Sequence, residues 1–298
     1  MKKKGFFALA AVLSLTLLTG CQGQPTQTET NGKTEGTQTE ASEAGQSGSG
    51  GRLAKIQEAG KIVMGTSPDF APSEFEDISS GKKEYVGCDI ELGKYIAEQL
   101  GVELEIKAME FSAIQQAVAS GTVDMGISGF AYTDERAEAL LLSTPYNLDS
   151  NSGQGLLVRK DEADQYQSAE AFSGKKVGTQ NASLQQKLAQ EQLPSDAQLQ
   201  LIASLSDGVL MLSTGKIDAL AVAGENGKSL SKSYPDVVMA EFMFDYTSGG
   251  NVIAMKKGED ELAAAVNGII EEVNEKGYYG QWKEEAIALA DSLGIEIN

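Results

Sequence analysis

Histidine is missing from all 298 residues of the chain. That absence removes Ser-His-Asp triads, Cys-His pairs and most zinc sites. Cysteine is almost missing, with Cys21 and Cys88 alone, so modification of Cys21 leaves Cys88 without an intramolecular partner. Neither a metal nor a cofactor is expected. Positive charge is scarce: 24 Lys and Arg stand against 43 Asp and Glu, a net charge of −19. Such a chain lacks the basic surface that neutralises phosphates, which argues against nucleic acid as a partner. It is also repelled by an anionic membrane surface. The negative charge needs no further role than solubility. Long apolar runs are confined to the N-terminus, and none elsewhere is long enough to be a membrane-spanning helix.

The one apolar run is Phe6 to Leu18, preceded by Lys2, Lys3 and Lys4. It is too short to cross a hydrocarbon core of roughly 30 Å as a helix and reads as the h-region of an export signal, residues 1–20. Its end, Leu18-Thr19-Gly20-Cys21, resembles the lipobox of bacterial lipoproteins, which implies lipidation of Cys21. One acyl chain anchors only marginally, and the same resemblance implies further chains. From Gln22 to Gly51 the residues are almost all Gln, Thr, Gly, Ser and Glu, with no aliphatic residue larger than Ala. Such a segment buries too little to offset its ordering entropy, so residues 21–51 read as a lipidated Cys and a disordered tether.

The body from Arg52 onward is long enough for one large domain or two lobes. Short apolar strands alternate with helical stretches. Residues 61–65 read as a strand, and residues 90–100 carry apolar side chains at helical spacing, with Gly101 at the expected stop. Residues 103–107 alternate as a strand, and residues 111–119 are helical. This alternation predicts an α/β fold with largely parallel sheets. The stretch Ala119-Ser120-Gly121-Thr122-Val123-Asp124-Met125 has a counterpart in Ser213-Thr214-Gly215-Lys216-Ile217-Asp218-Ala219. Two similar units about a hundred residues apart predict two lobes.

Six motifs in order give the body its identity. They are Gly65 to Pro72, Tyr85 to Leu92, Ser128-Gly129-Phe130-Ala131-Tyr132-Thr133-Asp134-Glu135-Arg136, Ser143 to Tyr146, Lys176 to Ser183, and Gly277-Tyr278-Tyr279 with Trp282. Together they resemble the polar-amino-acid type (family 3) of bacterial extracellular solute-binding proteins, the receptors of ATP-binding-cassette (ABC) importers. The resemblance implies two Rossmann-like α/β lobes joined by a two-strand hinge, with ligand in the inter-lobe cleft, the type II periplasmic-binding-protein fold. Lobe one is then residues 52–147 and 249–298, and lobe two residues 148–248.

In that family an Arg at the position of Arg136 binds the ligand α-carboxylate, which suits the rigid bidentate fork of a guanidinium. The rival role is a surface pair with Asp134 or Glu138. Ser128, Gly129 and Ala131 are expected to supply mainly backbone groups, with Ala131 replacing the usual Ser or Thr. Phe70 and Phe111 match aromatics that flank the ligand side chain, and Gln180, Ser183 and Leu184 the loop that meets the carboxylate from lobe two. Where the family places an acid for the ligand ammonium this chain has Ala223, so Glu225, Asp149 or Asp245 must serve, or the ligand lacks that group.

The implied partners are an amino acid or a derivative, the membrane permease of an ABC importer, and the membrane through the lipid anchor. The body itself is read as a monomer, held to the outer face of the cytoplasmic membrane. The alternative is an enzyme on the same fold, a cyclohexadienyl dehydratase or a transglycosylase, with Asp69, Glu74 or Asp89 as the acid that such chemistry needs.

Overall fold

A computed structural model describes residues 51–148 and 153–295. The proposed signal, Cys21, all of the tether but Gly51, and Asp149 lie outside these residues.

Two five-stranded sheets form the framework. The first runs β5 (Glu103–Ala108), β1 (Lys61–Thr66), β6 (Met125–Gly126), β13 (Ala254–Met255), β7 (Leu141–Leu142). The second runs β10 (Gln198–Ile202), β9 (Lys176–Gln180), β11 (Ala219–Ala223), β8 (Gln154–Arg159), β12 (Val237–Phe244). A small antiparallel sheet of β2 (Asp69–Phe70), β3 (Glu74–Asp77) and β4 (Glu84–Val86) follows the first strand. The helices are α1 (Arg52–Ala59), α2 (Cys88–Leu100), α3 (Phe111–Ser120), α4 (Asp134–Ala139), α5 (Leu184–Gln192), α6 (Leu205–Ser213), α7 (Gly224–Ser233), α8 (Asp260–Lys276) and α9 (Tyr278–Ser292). None of them is long and apolar enough to cross a membrane.

Successive side chains of a strand point to opposite faces of its sheet. In β1, Ile62 and Met64 enter one apolar core while Val63 packs into another. In β11, Ala219 and Ala221 face one core, Leu220 and Val222 a second. Both faces of each sheet are therefore covered, which is why these strands read as apolar runs rather than alternating ones. Gly101 ends α2 at φ 70°, a conformation that costs a glycine nothing.

The sheets are mixed, not largely parallel as the strand-helix alternation predicts. β5-β1-β6 and β10-β9-β11 are parallel, but β13 runs antiparallel to β6 and β7, and β8 antiparallel to β11 and β12. The cause is the crossing between lobes. The chain leaves the first sheet after Leu142, enters the second at Gln154, and returns after Phe244 to Ala254, so the crossing strands arrive against the direction of the parallel core. Asn147 and Asn251 pair across the two crossings, side chain to side chain at 2.9 Å and backbone to backbone at 3.0 Å.

Candidate functional site

The C-terminal ends of β1, β6, β9 and β11 and the loops that follow them face one cavity of about 770 Å³, its open mouth included. Open α/β sheets place ligands at the carboxyl ends of their parallel strands. All eleven residues singled out in the sequence line this cavity: Phe70, Phe111, Ser128, Gly129, Ala131, Arg136, Gln180, Ser183, Leu184, Ala223 and Glu225.

Arg136 sits on the short helix α4, whose start is fixed by Thr133 accepting the Arg136 N–H at 3.2 Å. The residue is 6 % exposed. Nη1 donates to the Ala131 carbonyl at 2.7 Å in lobe one, and Nη2 to the Ala182 carbonyl at 2.9 Å in lobe two. The rings of Phe111 and Phe130 lie 5.6 and 5.2 Å from Cζ. Burial lowers its pKa to about 10, so the cation persists at neutral pH. Among the described residues no carboxylate forms an ion pair with it, and the rival pairing with Asp134 or Glu138 does not occur. A guanidinium out of water, bonded to carbonyls and flanked by ring faces, with the Glu135 charge acting on it only from beyond ion-pair distance, lacks the directly paired carboxylate that ordinarily compensates burial.

The loop after β6 is held from behind. The Ser128 hydroxyl donates to Glu74 Oε1 at 2.6 Å and accepts from the Ser67 N–H at 3.0 Å. The Gly129 N–H donates to Asp89 Oδ2 at 2.8 Å. Asp89 also accepts from Tyr146 at 2.9 Å and Tyr279 at 2.7 Å. Gly129 has φ 56°, and a Cβ there would come within 2.8 Å of the Phe70 ring, so the aromatic lies directly on the glycine backbone. The resemblance leads to the expectation that this stretch gives a carbonyl and backbone N–H groups to a ligand. The Gly129 N–H is instead the third donor to the buried Asp89 carboxylate, beside the Tyr146 and Tyr279 hydroxyls, and each such bond offsets part of the cost of burying that carboxyl. Glu74 and Asp89 are completely buried. Desolvation raises both, and the Asp89 charge pushes Glu74 well above the ordinary carboxylate range.

Lobe two presents mostly uncharged groups. Ser183 caps α5, its hydroxyl accepting the Gln186 N–H at 3.0 Å. Gln154 faces Ala223 across the β8-β11 pair and accepts from Gln185 Nε2 at 2.7 Å. The three acids suggested for the position that Ala223 vacates fare differently. Glu225 lines the cavity but is paired with Lys283 of α9 at 2.9 Å. Asp245 lies outside the cavity, its backbone N–H and carbonyl both bonded to the Gln192 side chain at 2.8 Å. Asp149 is outside the described residues.

Asp69, weighed in the sequence only as an enzymatic acid, lines the cavity and accepts the Leu205 N–H at the start of α6 at 2.7 Å. Burial raises its pKa while that amide and Ser67 lower it. Asn226 Nδ2 donates to the Ala71 carbonyl at 2.8 Å. These bonds, the Glu225–Lys283 pair and Arg136 with Ala182 all cross the cleft, so the lobes are drawn together over the cavity. Sequence reading missed the cavity positions of Asn226, Gln154, Gln185 and Tyr246, none of which carries a local signal.

A family model described as bacterial extracellular solute-binding proteins, family 3, matches residues 62–287. A probable histidine-binding protein of Campylobacter jejuni is 28% identical over 73% of this chain and 81% of its own length. The arginine-binding extracellular protein ArtP of Bacillus subtilis is 28% identical over 76% and 85%. Among solved structures, the amino acid ABC transporter substrate-binding protein AbpA of Streptococcus pneumoniae, bound to L-arginine, superposes with a TM-score of 0.73 at 35% identity. It covers 78% of this chain and 96% of that one.

Proposed function

The chain belongs to the bacterial extracellular solute-binding proteins, family 3, and from that premise we propose that it captures an amino acid in its inter-lobe cleft and presents it to the permease of an ABC importer. The observation that carries this reading is Arg136, a buried cation at the cavity wall without a carboxylate of its own. A ligand α-carboxylate supplies the missing charge in bidentate geometry. Ala131 and Ala182 aim the fork from either side, while Phe111 and Phe130 exclude water. Gln180, Ser183, Leu184 and Gln154 cover the ligand from lobe two, and Phe70 flanks its side chain.

The ligand's cationic group turns towards Asp69. Of the acids at hand, Glu225 is held by Lys283 and Asp245 lies outside the cavity, whereas Asp69 lines it, its two oxygens each accepting one bond, from the Ser67 hydroxyl and the Leu205 N–H, which leaves lone pairs for a cation. Relatives named for arginine and histidine make L-arginine the first probe. Closure joins lobe one (residues 52–147 and 249–298) to lobe two (residues 148–248), and ligand shifts the population by its differential affinity for the closed form. Cys21 anchors the monomeric body to the outer face of the cytoplasmic membrane. The enzyme alternative gains no support from the cavity: Asp69 is tied to a helix start, and Glu74 and Asp89 are buried behind the wall.

The test is a thermal-shift screen of L-amino acids, followed by calorimetry on Arg136→Ala. A ligand at 100 times its Kd adds about 2.7 kcal/mol of stability. Loss of the guanidinium, with its two or more charge-assisted bonds of roughly 1.5–3 kcal/mol each, weakens binding at least about 100-fold. Unchanged affinity in Arg136→Ala removes the reading.

A further inference from the structure

Tyr246 arrives on the return crossing between β12 and β13. Its ring packs against the second-lobe core, in the same cluster as Ala131 and Leu184, and the small side chain at 131 leaves it room. Its hydroxyl oxygen is buried and has no hydrogen-bond partner among the described residues. Buried tyrosine hydroxyls usually find one. Four other buried hydroxyls are also unpartnered, on Thr66, Tyr166, Thr179 and Ser213, but none of these residues lines the cavity, and Tyr246 does. Tyr246 also lies within electrostatic reach of the Arg136 guanidinium.

Resting on the reading of Arg136 above, we propose that Tyr246 is a second carboxylate-binding residue, donating its hydroxyl proton to the ligand carboxylate that Arg136 grips. The chemistry fits: a phenol is a single strong donor, and a donor to a charged oxygen forms a shorter, stronger bond than one to a neutral oxygen. Each of the two terminal guanidinium nitrogens already spends one N–H on a carbonyl. A hydroxyl from the crossing segment completes the set of donors around the carboxylate without adding charge.

The test compares Tyr246→Phe with wild type in the full chain by calorimetry, using L-arginine and its carboxamide, L-argininamide. The variant loses about 10-fold or more in affinity for L-arginine and less than about 3-fold for L-argininamide, whose uncharged terminus benefits less from the donor. Its unliganded melting temperature stays with wild type, because the hydroxyl has no protein partner to lose. Equal losses for both probes mean that Tyr246 only packs, and overturn the proposal. No loss for either probe overturns it as well, while leaving Arg136 and the binding function intact. Wild-type protein that binds no L-amino acid overturns the binding function itself, and this proposal with it.

Discussion

In lobe one, Asp124 accepts the Val63 N–H at 2.7 Å and pairs with Arg52. In lobe two, Asp218 accepts the Lys176 N–H at 2.8 Å and faces Arg159 at 3.5 Å. The two aspartates are the pair that the internal repeat brings into register, and each closes the same joint. A carboxylate after a helix-Gly turn ties the incoming strand to the start of the lobe's first parallel strand. The repeated motif is therefore a fastening of the fold and not part of the site. The lobes part company at the cleft. Lobe one brings Arg136, Asp69 and a buried carboxyl pair behind the wall. Lobe two brings glutamines, hydroxyls and helix starts, and its one cavity carboxylate among the described residues, Glu225, is neutralised from the other side. Among the described residues the unpaired charged side chains of the cavity are concentrated in one half, and in the function proposed above the other half supplies a largely neutral cover.

The shared joint is the first place to strain this comparison. The Asp124 side chain is 5% exposed and that of Asp218 29%. Removing an acceptor from a buried charged bond costs roughly 1.5–3 kcal/mol, and solvent takes over part of that role where the group is exposed. Asp124→Ala is expected to lose about 2–3 kcal/mol in urea unfolding, and Asp218→Ala about 1 kcal/mol. Equal losses, or the reverse order, mean that exposure does not set the strength of the two joints.

The carboxyl pair behind the wall gives a pH-dependent contrast, with no matching buried pair among the described residues of lobe two. Glu74 and Asp89 share their pocket with Cys88, Tyr146 and Tyr279, and among them no cation forms an ion pair with either acid. Glu74 holds its proton more tightly folded than unfolded. Its contribution is therefore fully present below its ordinary pKa of 4.5 and is lost as pH rises towards the folded value. Each unit between the two values is worth about 1.4 kcal/mol. Glu74→Gln keeps an acceptor for Ser128 but never ionises. Its melting temperature is expected to fall less than that of wild type between pH 5 and pH 8. Parallel curves would show that Glu74 is not the group that titrates.

Much of this arrangement is legible in the residues. The strand-helix alternation sets the layers, Gly101 marks a helix end, and the repeat announces two similar units. The motif around Ser128 to Arg136 groups residues that the fold brings to one cavity wall, because they lie within one loop and one turn of helix. What the chain order hides comes from segments that meet only on folding. Asp69 reaches Leu205 across 136 residues and Asn226 reaches Ala71 across 155. Tyr246 and Gln154 lie on crossings whose sequence shows apolar or polar character but not direction. Asp245 illustrates the converse: it is beside Tyr246 in sequence, yet only Tyr246 lines the cavity, and the Asp245 backbone is bonded to the Gln192 side chain.

The smallest expected effect separates a latch from a ligand contact. Glu225 and Lys283 join the lobes at 2.9 Å with 30% and 23% of their side chains exposed. An ion pair so open to water contributes at most about 1 kcal/mol. If it serves only to hold the lobes together, Glu225→Gln and Lys283→Met each weaken L-arginine binding by no more than about 5-fold. The loss shrinks at high salt as the pair is screened, while the unliganded melting temperature barely moves. A carboxylate that instead touches the ligand's cation behaves asymmetrically. Glu225→Gln then costs more than about 10-fold, and Lys283→Met, by freeing the carboxylate, strengthens binding. Calorimetry on the two variants at low and high salt distinguishes the patterns. The asymmetric one would move charge recognition out of lobe one alone and make lobe two a reader of the ligand.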